Sequence, residues 1–151
     1  MKVKECMTDQ PVLCGSLDSL FECSKLMYQK NVGYLLVIDG DDKFVGVITD
    51  RDIVCGCIAQ GFDPQSTPVT EVMERRFFTL KPDQTIDEAL RVMSENGIRR
   101  LPVIDENRCV GILSVDDLIV KEACETKDIA PIFKRQLSEP RLTRSTVGEA
   151  A

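Results

Sequence analysis

Leu20, Cys23 and Met27 follow Ser19, and 66 residues later Ile86, Ala89, Leu90 and Met93 follow Thr85. Apolar residues at i, i+3, i+4 and i+7 form one face of an amphipathic helix. Each run opens on a hydroxyl residue with glutamate three positions on (Ser19/Glu22, Thr85/Glu88), the form of a capping box. A short apolar run comes next, Tyr34 to Ile38 or Leu101 to Ile104, then an acidic turn and a second run, Phe44 to Ile48 or Cys109 to Leu113. Two such runs across a tight polar turn predict a hairpin. A further strand is expected ahead of each first helix, at Pro11-Val12-Leu13 and at Phe77 to Leu80. A second helix is expected after each hairpin. The pattern is β-α-β-β-α, written twice.

The two copies align residue by residue. KNVGYLLVID (30–39) faces NGIRRLPVID (96–105), Met27 faces Met93, and Met7 faces Met73. Past the acidic turn the offset falls from 66 to 65, because the turn after Asp39 is one residue longer than that after Asp105. Loops absorb such changes and strands do not. The expected organisation is a first motif at 3–62, a linker rich in turn residues at 63–71, a second motif at 72–125, and a tail at 126–151. Ile129, Ile132, Phe133 and Leu137 give that tail a helical stretch before a polar end. One copy alone buries little apolar surface. The fold class expected is therefore α/β, of α+β type, with two repeats packed through their sheets about a pseudo-twofold axis.

Composition narrows the function classes. Apolar residues make up 43% and charged residues 29%, which are globular proportions. No apolar run has the length of a membrane span, and MKVKECMT carries no apolar signal segment. The formal charge of −6 argues against nucleic acid as the main partner. Seven cysteines without a framework spacing, and no histidine, suit a reducing cytoplasm. Cys55-Gly-Cys57 offers two thiolates, too few for a metal site without further ligands.

Both hairpins end in one phrase, G-x-x-[ST]-x-x-D: Gly46 to Asp52 and Gly111 to Asp117. Thr49/Asp52 and Ser114/Asp117 read as helix caps. They read also as a grip on ribose, since a carboxylate accepts from vicinal hydroxyls. Capping leaves unexplained why glycine stands three residues before each hydroxyl; it suits close approach of another group to the strand end. Nor does it explain Arg99 and Arg100, whose guanidinium groups suit phosphate. Adjacent strand residues point to opposite faces, so at most one reaches a given cleft.

The ordered set, occurring twice over about residues 3 to 125, resembles a tandem pair of cystathionine-β-synthase (CBS) domains. The resemblance implies two clefts between the motifs that take adenosyl ligands: AMP, ADP, ATP or S-adenosylmethionine. It places ribose contacts at Thr49, Asp52, Ser114 and Asp117. It places adenine near Val12 and Leu13 in one cleft and Phe78 and Thr79 in the other, with Ile98 and Pro102 as walls. Arg99 and Arg100 match its phosphate-contacting positions. The first motif departs, with Gly33 and Tyr34 in place of the arginines and Leu36 in place of Pro102. Tyr34 stacks on a base or sits in the core, and Arg51 reads as a solvated helix residue.

The implied function is a non-catalytic sensor in which an adenine nucleotide regulates an unidentified partner, working as a homodimer and needing no cofactor or metal. The alternative is a ligand-free interaction scaffold. An enzyme has little support: no histidine, P-loop, G-x-S-x-G or metal cluster is present, although Asp50, Asp52, Asp116 and Asp117 lie near the proposed sites. Lys134, Arg135, Arg141 and Arg144 give the tail a basic cluster suited to an acidic partner or to solubility.

Overall fold

The computed structural model describes residues 1–138. In chain order the elements are α1 (Val3–Cys6), β1 (Thr8–Asp9), β2 (Leu13–Gly15), α2 (Leu20–Lys30), β3 (Tyr34–Ile38), β4 (Phe44–Thr49), α3 (Asp50–Ile53), a π-helical turn (Val54–Ile58) and a 3₁₀ turn (Val69–Glu71). Then come α4 (Ile86–Asn96), β5 (Arg100–Asp105), β6 (Arg108–Ser114), α5 (Val115–Val120) and α6 (Thr126–Ser138). They form two compact units. Of the described residues, the first holds Val12–Phe77; the second joins Met1–Pro11 to residues 78–138.

The expected capping boxes form as drawn. Ser19 Oγ accepts from Glu22 N at 3.1 Å while Glu22 Oε2 accepts from Ser19 N at 2.8 Å, and Thr85 with Glu88 does the same at 3.2 and 2.8 Å. Helices α2 and α4 also end alike, on Asn31 and Gly97, both left-handed (φ 54° and 63°). That conformation favours glycine and small polar side chains.

In the first unit the sheet order is β2-β3-β4, with β2 parallel and β4 antiparallel to β3. In the second it is β1-β6-β5, antiparallel throughout, and Leu80 adds one parallel bridge to Val103 where the first unit has β2. Each hairpin shifts register at the same repeat position, Val37/Ile38 and Val103/Ile104. Strand alternation then divides the residues. Leu35, Val37 and Ile48 join Leu20, Cys23 and Met27 in one core; Leu101, Val103 and Leu113 join Ile86, Ala89, Leu90 and Met93 in the other. Residues between them, Leu36 and Val47 or Pro102 and Ile112, belong to the face turned away from these helices.

The packing units are not the sequence repeats at their leading ends. Val3 and Cys6 are buried in the core of the second unit, and Val69, Val72 and Met73 in that of the first. Glu74 exchanges backbone hydrogen bonds with Val47 at 2.8 and 3.0 Å, and Thr8 pairs with Ile112. Each copy's leading segment therefore completes the sheet of the other copy. Helix α6 belongs to the second unit and places Ile132 fully inside its core, while Leu137 is exposed. Of the basic cluster, Lys134 and Arg135 lie on α6; Arg141 and Arg144 lie outside the described residues. No helix among the described residues is long and apolar enough to cross a membrane.

Candidate functional site

Both G-x-x-[ST]-x-x-D phrases sit where a strand turns into a helix. Thr49 Oγ1 accepts from Asp52 N at 3.1 Å, and Asp52 Oδ2 accepts from Thr49 N at 2.8 Å and from Thr49 Oγ1 at 2.5 Å. Ser114 and Asp117 repeat the arrangement at 3.1, 2.8 and 2.7 Å. The capping reading is thus realised in both copies. It also fixes each carboxylate at the strand end, in one orientation. Asp117 is held from a second direction, because its Oδ1 accepts from Thr8 Oγ1 at 3.0 Å. A carboxylate has about four acceptor positions, and these three donors leave Asp117 able to take another.

The glycines of the phrase have a cause internal to the chain. A Cβ on Gly46 would lie 2.7 Å from Glu74 O and 3.0 Å from Met73 Sδ. On Gly111 it would lie 2.6 Å from Met7 Sδ and 3.0 Å from Thr8 O. The group that comes close to each strand is the methionine-bearing leading segment. Glycine is needed for that approach and is no sign of a ligand.

The neighbouring strand sets what faces each hydroxyl. Tyr34 pairs with Thr49, and Arg100 with Ser114. Gly33 O accepts from Asp50 N, and Arg99 O from Val115 N, both at 2.9 Å. Arg100 therefore shares a sheet face with Ser114, Pro102 and Ile112, and its Nη2 lies 3.9 Å from Asp116 Oδ2. Both side chains are exposed, so that pair contributes little. Arg99 lies toward α6, its guanidinium carbon 5.9 Å from the Phe133 ring centroid.

In the second unit this brings together Ser114, Asp117, Arg100 and Pro102. Phe78 and Thr79 are exposed beside Leu80, while Ile98 packs against the helix-side core. In the first unit Thr49, Asp52, Tyr34 and Leu36 share a corner. Leu13 pairs with Leu36 and belongs to its face, whereas Val12 packs against the helix-side core. Tyr34 is half-buried at the start of β3 and outside that core, and Arg51 is exposed. Thr8 and Phe133 are contacts that motif reading misses. The alignment of Met7 with Met73 was the available signal for Thr8, since it places Thr8 beside a repeated position occupied in the other copy by Glu74.

The thiols behave as small apolar groups. All seven cysteines are unpaired, and Cys6, Cys14, Cys23 and Cys57 are buried. A hydrogen bond with Cys23 and then burial push the Cys14 thiol far above its ordinary range; burial raises Cys6, Cys109 and Cys124. Cys57 points its thiol at Phe62 O, 3.5 Å away. Among the described residues no three Asp, Glu, Cys or His side chains gather as a metal site would require.

A duplicated hairpin-and-helix motif thus carries a hydroxyl–carboxylate corner in each copy. Comparison with known proteins gives the family: the model of the CBS domain matches residues 3–55 and 69–123. The chain belongs to the CBS-domain family, as a tandem pair. It is 38% identical over 120 residues to the CBS domain-containing protein YhcV of Bacillus subtilis, covering 80% of this chain and 84% of that protein. It is 35% identical over 104 residues to hypoxic response protein 1 of Mycobacterium tuberculosis, covering 69% and 73%. Among solved structures, the CBS-domain pair of the protein MJ0100, in complex with 5′-methylthioadenosine and S-adenosyl-L-methionine, superposes with a TM-score of 0.72 at 29% identity, over 82% of this chain and 96% of that one. Hypoxic Response Protein I, with two coordinated zinc ions, gives 0.73 at 31% identity, over 80% and 98%.

Proposed function

We propose that the protein is a non-catalytic regulatory module whose Ser114–Asp117 corner takes the ribose of an adenosyl ligand, with Thr49–Asp52 as a second corner. The observation that carries this is Asp117: a carboxylate oriented by three donors, with acceptor capacity remaining, on a corner where Arg100 stands opposite Ser114. A sugar diol suits the carboxylate and a phosphate suits the guanidinium. The adenosyl ligands bound by the MJ0100 pair support the same chemistry. The corner in the first unit has Tyr34 in the place of Arg100, so a ligand there is held without that cation.

A ligand that binds only the native state raises stability by about 2.7 kcal/mol at a hundredfold excess over Kd. AMP, ADP, ATP or S-adenosylmethionine is expected to raise the melting temperature by several degrees. Unchanged melting at millimolar concentrations of all four would refute binding.

One observation favours a ligand-free scaffold instead. Both hydroxyl–carboxylate pairs are accounted for as helix caps, and both glycines as packing. The melting panel separates the two readings. In either, self-association suits the exposed apolar residues that each unit carries, Val54 and Ile58 on the π-helical turn after α3 and Ile119 and Val120 on α5. We place this module, with its unpaired thiols, in a reducing cytoplasm.

A further inference from the structure

The residue after each repeated methionine belongs to the face of a hydroxyl–carboxylate corner, and the two copies differ there. Thr8 follows Met7, and Glu74 follows Met73. Thr8 pairs antiparallel with Ile112, and Glu74 with Val47. Residues directly opposite in an antiparallel pair present their side chains on one face, and alternate residues along a strand share it. Glu74 therefore shares a face with Val47 and Thr49, and across the hairpin with Leu36 and Tyr34. Thr8, in the same relation to Ile112 and Ser114, reaches its corner: its Oγ1 donates to Asp117 Oδ1 at 3.0 Å. Glu74 is half-buried, and its Oε1 accepts from Arg76 N at 2.8 Å. The neighbouring Arg75 is turned back along the chain, its Nη2 donating to Thr70 O at 3.1 Å. The first corner face thus carries two carboxylates, Asp52 and Glu74, with Tyr34. The second carries one carboxylate, Asp117, with the Arg100 guanidinium and the neutral Thr8.

We propose that Glu74 sets the ligand charge that the Thr49–Asp52 corner accepts: S-adenosylmethionine in preference to AMP, whereas the Ser114–Asp117 corner prefers AMP. The proposal rests on the adenosyl-ligand reading and adds which ligand each corner takes. Both compounds offer the same ribose diol to the aspartate. They differ at the 5′ position, where AMP carries a phosphate and S-adenosylmethionine a sulfonium cation with an ammonium group beyond it. A second carboxylate on the face that holds the sugar repels the phosphate and attracts the sulfonium. Like charge placed against a wrong partner is a general route to specificity. One charge at a partly solvated position changes an equilibrium constant by about two- to fivefold. Adenosine, uncharged at the 5′ position, is indifferent to Glu74.

The test is an NMR titration of the full chain with AMP, S-adenosylmethionine and adenosine, as wild type and as Glu74→Gln. Amide signals of residues 46–53 read the first corner and those of residues 111–118 the second. Glutamine keeps an acceptor for Arg76 N and removes the charge. At residues 46–53, Glu74→Gln is expected to tighten AMP about two- to fivefold, to weaken S-adenosylmethionine by a similar factor and to leave adenosine unchanged. At residues 111–118 all three affinities are expected to stay as in wild type. A packing defect moves the three ligands together, whereas loss of a charge moves two of them in opposite directions. Three results overturn the selector while leaving the Ser114–Asp117 corner intact: a wild type that prefers AMP at residues 46–53, a preference there unchanged by Glu74→Gln, or no ligand reaching those residues in either protein. If wild type binds none of the three compounds at either corner, the function reading fails and the selector falls with it.

Discussion

Gly46 and Gly111 show how one missing side chain sets the geometry around it. Each strand runs so close to a leading segment that a methyl group would overlap a methionine sulfur and a carbonyl oxygen. Backbone on one side leaves little room to relax, and overpacking of this kind typically destabilises by about 1–3 kcal/mol. Gly46→Ala and Gly111→Ala are expected to lower the urea midpoint accordingly, and Gly40→Ala, with nothing within 4 Å, to leave it unchanged. Equal midpoints for all three would show that the leading segments pack more loosely than described. The sequence placed these glycines in a repeat and showed that capping did not need them. What it could not show was the approaching group, because Met7 and Met73 lie far from Gly111 and Gly46 in sequence. Asp117 has the same history: its cap with Ser114 is local and legible, whereas its bond to Thr8 spans 109 positions.

At the level of elements, helices α2 and α4 were readable because their signals are local: a capping box, apolar spacing, and a left-handed closing residue. The hairpins were readable from two apolar runs and an acidic turn. The strand expected at Phe77 to Leu80 is reduced to the single bridge at Leu80, whose N–H donates to Pro102 O and whose carbonyl accepts from Ile104 N. Helix α6 was only half legible. Its apolar spacing was visible, but its depth of burial depends on α4 and Gly97, which lie 30 or more positions earlier. Ile132 has no exposed surface, so Ile132→Ala is expected to cost about 2–5 kcal/mol in chemical denaturation. Leu137→Ala, at an 83% exposed position, is expected to cost little. Similar losses for both would mean that α6 does not dock through Ile132.

For the molecule as a whole, the exchange of leading segments makes each unit depend on residues from both ends of the sequence repeat. Lys2 and Lys4 reinforce this, reaching Asp83 at 3.1 and 2.8 Å. The hydrogen bond from Lys4, then that from Lys2, hold the Asp83 carboxyl below its ordinary range, and the Thr85 cap does the same for Glu88. A carboxylate whose pKa is lower in the folded than in the unfolded chain stabilises above its unfolded value. That contribution is lost as pH falls through the folded one. Melting temperature is therefore expected to fall below the ordinary carboxylate range. Asp83→Asn should flatten that acid limb slightly, because the pairs are exposed. An acid limb identical in wild type and variant would remove Asp83 from the account.

The central claim is that a carboxylate at the opening of each final motif helix grips a sugar. Isothermal titration of AMP against its 2′,3′-dideoxy analogue, on wild type and on the Asp52→Ala/Asp117→Ala double variant, measures that grip. A hydrogen bond to a charged group is worth about 1.5–3 kcal/mol. Wild type is expected to prefer AMP by about tenfold or more, and the double variant, still folded by circular dichroism, to bind the two alike. Equal affinities on wild type, or a preference that survives loss of both aspartates, would contradict the claim.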